Sequence, residues 1–170
     1  ESFTFEEDGE LIENFTQYIG DIDEDLLTLT VSGNENITVS IAGFEVTFGN
    51  VQDIYGTETL TFTVDDSHGR AIASDDIDII VIPVNDSPFL GAIADTSTAE
   101  EIPLTIALFA SDVDGDELTF DALSDSPSDV SVSVSGSELT MFPAENFNGD
   151  VQISVSVTDG EYTDNTVFTL

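Results

Sequence analysis

There is no cysteine in these 170 residues, no tryptophan, one histidine and a single basic side chain, Arg70. Each absence removes a class of function. Without cysteine there is no disulfide framework and no thiolate chemistry. Zinc sites are built from Cys and His, and His68 stands alone. Nucleic acid and anionic membrane surfaces both call for Lys and Arg, so neither is a partner. No apolar run approaches the roughly 20 residues that cross a bilayer, so no membrane insertion is expected of this stretch. No leader segment is evident and Glu1 opens in mid-pattern, so the sequence reads as a piece of a longer protein.

What is abundant is acid: 36 Asp and Glu, for a formal charge of -35. Hydrophobic residues make up 40% of the chain, enough for a packed core, so the acidity does not signal disorder. The carboxylates are concentrated. "SDVDGDELTF" places Asp112, Asp114 and Asp116 at alternate positions, and "GDIDEDLLTL" does the same with Asp21, Asp23 and Asp25. No set of side chains in the sequence can neutralise them. An all-oxygen donor set suits a hard cation, and Ca2+ is the expected cofactor. An EF-hand loop is excluded, because it needs Gly at its sixth position and Glu at its twelfth. Counting from Asp112 those positions hold Glu117 and Leu123, and counting from Asp21 they hold Leu26 and Ser32.

The acidic triplets belong to a duplicated pattern. "GDIDEDLLTLTVS" matches "SDVDGDELTFDAL", "IYGTETLTFTVDD" matches "FNGDVQISVSVTD", and "EDGEL" matches "EEIPL", in the same order and about ninety residues apart. "IPVNDSPF", with two prolines and an Asn-Asp pair, reads as the linker. The expected domains are residues 1–86 and 87–170.

Within each copy the hydrophobic period is two. Leu60, Phe62 and Val64 alternate with threonines, and Val151, Ile153, Val155 and Val157 alternate with Gln, Ser and Thr. Ile37, Val39 and Ile41, Phe44, Val46 and Phe48, and Val130, Val132 and Val134 repeat the pattern. This predicts half-buried antiparallel strands, and no stretch carries a helical stripe. About seven short strands per copy, with frequent turns, predict an all-β protein of two tandem immunoglobulin-like, Greek-key β-sandwiches joined end to end.

That fold locates the acids. Alternate residues of an extended segment point the same way, so Asp112 and Asp114 converge. One loop cannot supply the roughly six to eight oxygens that calcium prefers. In a sandwich of this kind the turn after the sixth strand lies at the same end as the turn after the second. That adds Asp159, and the linker adds Asn85 and Asp86. Glu7 and Asp53 lie in turns at the far end of the first copy. An interdomain calcium cluster of Glu7, Asp53, Asn85, Asp86, Asp112, Asp114 and Asp159 is therefore expected. The competing reading is a solvated acidic face of a protein from a salty habitat. Asp25 and Asp116 serve equally well to end a turn, and Asn85 is also a good turn residue ahead of Pro88.

"IPVNDSP", "DVDGD", "ENFNGD" and "TDG" together resemble the cadherin-like tandem repeats of large bacterial surface proteins and adhesins, and the calcium motifs of cadherins themselves. The resemblance covers nearly the whole chain, twice. It implies extracellular repeats stiffened by calcium at each junction. It equates the cadherin acid near the domain start with Glu7 and Glu100, and the Asp-x-Asp with Asp21 and Asp23 and with Asp112 and Asp114. The Asn-Asp linker falls on Asn85 and Asp86, and the late aspartate on Asp66 and Asp159. The cadherin Asp-Arg-Glu is absent. "QDIYG" and "ENFNG" stand in its place, with Asp53 and Glu145. Asp21, Asp23, Asp66, Glu100 and Glu145 are then half-sites that need further neighbours.

The function expected is a calcium-rigidified spacer or adhesion repeat of a bacterial cell-surface or secreted protein, from a marine or saline habitat. Its partners would be adjacent repeats, a surface polysaccharide or another adhesin. The alternative is a calcium-dependent carbohydrate- or protein-binding module accessory to a secreted enzyme. No nucleophile or acid–base constellation is marked, so the chain itself is expected not to be an enzyme. His68 and Arg70 read as exposed turn residues, Tyr55 and Phe147 as packed corner aromatics. The sequons at Asn14 and Asn36 matter only in a glycosylating host.

Overall fold

The computed structural model describes residues 1–22, 24–66 and 72–170. The chain divides into two compact units, Glu1–Val84 and Asn85–Leu170. The division falls after Val84 rather than after Asp86, because Asn85 and Asp86 are hydrogen-bonded within the second unit, to Asp159 and Asp114.

The first unit contains β1 (Ser2–Glu6), β2 (Leu11–Asn14), β3 (Thr28–Ser32), β4 (Ile37–Ala42), β5 (Glu45–Asn50), β6 (Gly56–Asp65) and β7 (Ile72–Ile82). They form a four-stranded sheet in the order β1-β7-β6-β3 and a three-stranded sheet in the order β2-β5-β4. Alternation sorts the faces. On β6, Leu60 and Phe62 are buried. Thr59 and Thr61, between and beside them, instead donate hydrogen bonds across the sheet to Asp78 and Asp76 of β7, each at 2.7 Å. Phe15, Phe48 and Phe62 pack as a ring cluster, the closest pair, Phe15 and Phe62, with centroids 4.9 Å apart. Phe15 opens a 3-10 turn, Phe15–Gln17, which the Asn14 side chain caps by accepting from the Thr16 amide.

One pairing departs from the antiparallel expectation: β1 runs parallel to β7. Each connection reverses the chain, so the first and seventh strands point the same way. They meet because β1 covers what would otherwise be the open edge of β7.

The second unit contains β8 (Phe89–Leu90), β9 (Leu104–Ala107), β10 (Ala110–Ser111), β11 (Thr119–Ser124), β12 (Val130–Ser135), β13 (Glu138–Pro143), β14 (Gln152–Thr158) and β15 (Thr163–Thr169). One sheet runs β11-β14-β15, the facing one β12-β13-β9, and β8 pairs with β10. Val151, Ile153, Val155 and Val157 are buried with Leu139 and Met141 at the centre of the core. Of the corner aromatics, Phe147 packs on this core. Tyr55 does not follow it into the interior and is 53% exposed, a correction to the symmetric expectation.

The duplication extends to the backbone. Gly43 and Gly136 both have positive φ and both open a two-residue hairpin, between β4 and β5 and between β12 and β13. Asp53 and Asn146, at matching places in "QDIYG" and "ENFNG", both have φ of 59°.

Candidate metal centre

The acidic end of the second unit is built from two loops and the segment that leads into the fold. β10 pairs with β8, Ser111 opposite Phe89, which sets Asp112 at the start of the loop to β11. Thr119, where that loop ends, lies opposite Thr158, where β14 ends. Asp159 therefore begins the β14–β15 turn beside the β10–β11 loop. Asn85 and Asp86 approach both. The Asn85 side-chain amide donates to Asp159 Oδ2 at 3.0 Å, and the Asp86 backbone N–H donates to Asp114 Oδ2 at 2.8 Å.

Inside the loop, Asp112 folds the chain around itself. Its Oδ1 accepts from the Gly115 amide at 3.0 Å and the Asp116 amide at 3.3 Å. Gly115 has φ of +80°, the left-handed conformation this turn requires. Asp112, Asp114 and Asp116 each offer an oxygen, and these oxygens lie within 4.8 Å of one another. Among the described residues, Asp112 Oδ2 is buried with no hydrogen-bond partner. Residues 85–170 contain no Lys, Arg or His that could answer this charge.

Asp159 is half-buried, and desolvation, the largest single influence on it, opposes ionisation. Hydrogen bonds outweigh it. Asp159 Oδ1 accepts from the Glu161 and Tyr162 amides, both at 2.7 Å, and Oδ2 accepts from Asn85. Together they hold this carboxyl below its ordinary value and keep it charged.

Of the residues expected from the sequence, Asn85, Asp86, Asp112, Asp114 and Asp159 thus come together in the second unit. In the first unit, Glu7 is buried, and its Oε1 accepts from the Val84 amide at 2.7 Å. Asp53 is half-buried. Asp66 is buried, and Asp21 Oδ1 accepts from the Asp25 amide at 3.3 Å, as Asp112 does from Asp116. Asp23, His68 and Arg70 lie outside the described residues. Glu100 and Glu145 are exposed.

One contributor is not legible in the sequence. Asp164 Oδ2 accepts from the Leu90 amide at 2.8 Å. Asp164 anchors β8, and β8 carries β10 and its loop. An acid among polar strand residues gives no sign that it does anything but face water.

A family model for the bacterial Ig domain matches residues 85–170, the whole of the second unit. The chain belongs to the bacterial Ig domain family. Among solved structures, this bacterial Ig chain is similar to human protocadherin-24 EC1-2, with 14% identity, a TM-score of 0.58, and coverage of 99% of this chain and 92% of that one. It is similar to Drosophila N-cadherin EC1-4 at 13% identity and a TM-score of 0.56, covering 99% of this chain and 47% of that one. These likenesses establish the fold: cadherin-like immunoglobulin sandwiches in tandem. An endo-fucoidan hydrolase from glycoside hydrolase family 107 matches at 18% identity and a TM-score of 0.38, over 86% of this chain. The bacterial Ig chain spans 23% of that enzyme's length. No curated protein sequence matches it. No helix among the described residues is long and apolar enough to cross a membrane.

Proposed function

We propose that this chain is a calcium-binding, non-catalytic spacer of a bacterial extracellular protein, in which calcium stiffens the connection between successive Ig repeats. The observation that carries the reading is Asp112 Oδ2, a carboxylate oxygen withdrawn from water with no donor among the described residues to meet it. Burying a charged oxygen that way is unfavourable unless a cation answers it. The neighbouring donors are all oxygens, as calcium prefers. Asp112, Asp114 and Asp116 would hold the ion, with Asp86 and Asp159 beside them, and it would supply the positive charge that residues 85–170 lack.

The stiffening follows from where Asn85 and Asp86 are tied. They are the first residues of the second unit, and they bond to Asp159 and Asp114. Without a cation, crowded carboxylates repel and weaken both loops that hold the connector. With calcium bound, the same loops are drawn together and the connector loses its freedom. Binding to the folded state alone adds about 2.7 kcal/mol at a hundredfold excess over Kd.

Calorimetry in calcium should give a heat of binding that Asp114→Ala abolishes. Small-angle scattering with calcium should show less flexibility than with chelator. No heat would reject the ion site. Heat with an unchanged scattering profile would leave the ion site and reject the spacer role.

A further inference from the structure

The sequence contains four pairs in which Asp or Asn precedes glycine: Asp8–Gly9, Asp114–Gly115, Asn148–Gly149 and Asp159–Gly160. Such pairs are chemically exposed, because glycine has no Cβ to shield its amide nitrogen from the preceding side-chain carbonyl carbon. In three of them the nitrogen is engaged. Gly9 donates to the Glu6 carbonyl at 2.8 Å, Gly115 to Asp112 Oδ1 at 3.0 Å, and Gly160 to Thr158 Oγ1 at 3.0 Å. Among the described residues the Gly149 amide has no hydrogen-bond partner. Asn148, Gly149 and Asp150 are all exposed, in the irregular segment between β13 and β14. This is the one pair whose side chain is a neutral amide, which expels ammonia at neutral pH far more readily than a carboxylate expels water.

We propose that Asn148 is a site of spontaneous deamidation in the folded protein. The Gly149 nitrogen attacks Asn148 Cγ. The N–Cγ bond forms, the Cγ–Nδ2 bond breaks, the Gly149 nitrogen gives up its proton through solvent, and the side-chain nitrogen takes one up and leaves as ammonia. The five-membered succinimide is then opened by solvent water at either carbonyl, giving aspartate or isoaspartate. The net change is gain of water and loss of ammonia, with no oxidant or reductant.

Either product adds one negative charge to a groove of about 770 Å³ whose lining already includes Asp95, Glu100 and Asp150. Isoaspartate also lengthens the backbone by one carbon just ahead of Val151, whose N–H and C=O both pair with Leu170 at 2.9 Å. The modification therefore ages the edge of the second core, away from the candidate metal centre, and does not depend on that site.

The test incubates the intact chain at neutral pH with chelator, folded and in urea, and maps each pair by peptide mass and isoaspartate content. Asn148 should convert at similar rates folded and unfolded. Isomerisation at Asp8, Asp114 and Asp159 should slow by about fivefold or more on folding, since each attacking N–H must first give up its hydrogen bond. Asn148→Gln should remove the gain in mass. Conversion of Asn148 in urea with retention in the folded chain would overturn the proposal. So would a gain in mass that survives Asn148→Gln.

Discussion

Asp112 puts its two oxygens to different uses: one organises the loop through the Gly115 and Asp116 amides, the other is buried without a partner among the described residues. Asp112→Asn separates these roles, because the amide oxygen can still accept while the charge is gone. In chelator the substitution should stabilise the second unit by about 1 kcal/mol, because one charge fewer eases the repulsion with Asp114 and Asp116. In calcium it should destabilise, because a ligand charge is lost. Thermal melts under the two conditions should therefore move in opposite directions; a shift of the same sign in both would mean the carboxylate is structural. Asp159 makes a pH prediction. Its folded carboxyl lies below the ordinary 3.8, so its contribution is present above that value and is lost as pH falls through the lower folded value. In chelator, Asp159→Asn should flatten the loss of stability seen below about pH 4 in an acid titration followed by circular dichroism.

Strand interiors obey the alternation read from the sequence. Ile153 on β14 is buried, while Val167 on the adjoining β15 is 52% exposed. Ile153→Ala should cost about 2–5 kcal/mol in denaturant unfolding of the second unit, by loss of burial and a cavity. Val167→Ala should stay within about 0.5 kcal/mol. Equal effects would mean the two strands do not share one inward face. The long strands were legible because a period of two, repeated over several residues, has a single burial solution. β8 and β10 were not, because two residues show no period. The parallel pairing of β1 with β7 was not legible either, since alternation specifies a face and not a neighbour.

At the scale of the whole chain, a formal charge of -35 opposes folding through self-repulsion. Monovalent salt should raise the melting temperature of the chelated protein, since screening shortens to about 10 Å at 0.1 M. Calcium should raise it further than magnesium at equal ionic strength, because magnesium keeps its waters and demands octahedral geometry. Equal rises would reduce the acidic loops to a screened surface. The sequence by itself determined two all-β repeats, their order, and the residue types available to a cation. It did so because repeats and alternation are local and because composition excludes every other counter-charge in the second repeat. Only the tertiary structure decided that Asn85 reaches Asp159, that Asp86 reaches Asp114, and that one oxygen of Asp112 is sealed from water without a donor among the described residues. Those pairings join residues far apart in the chain. Their distance and burial are set by how the sheets pack, which no local pattern encodes.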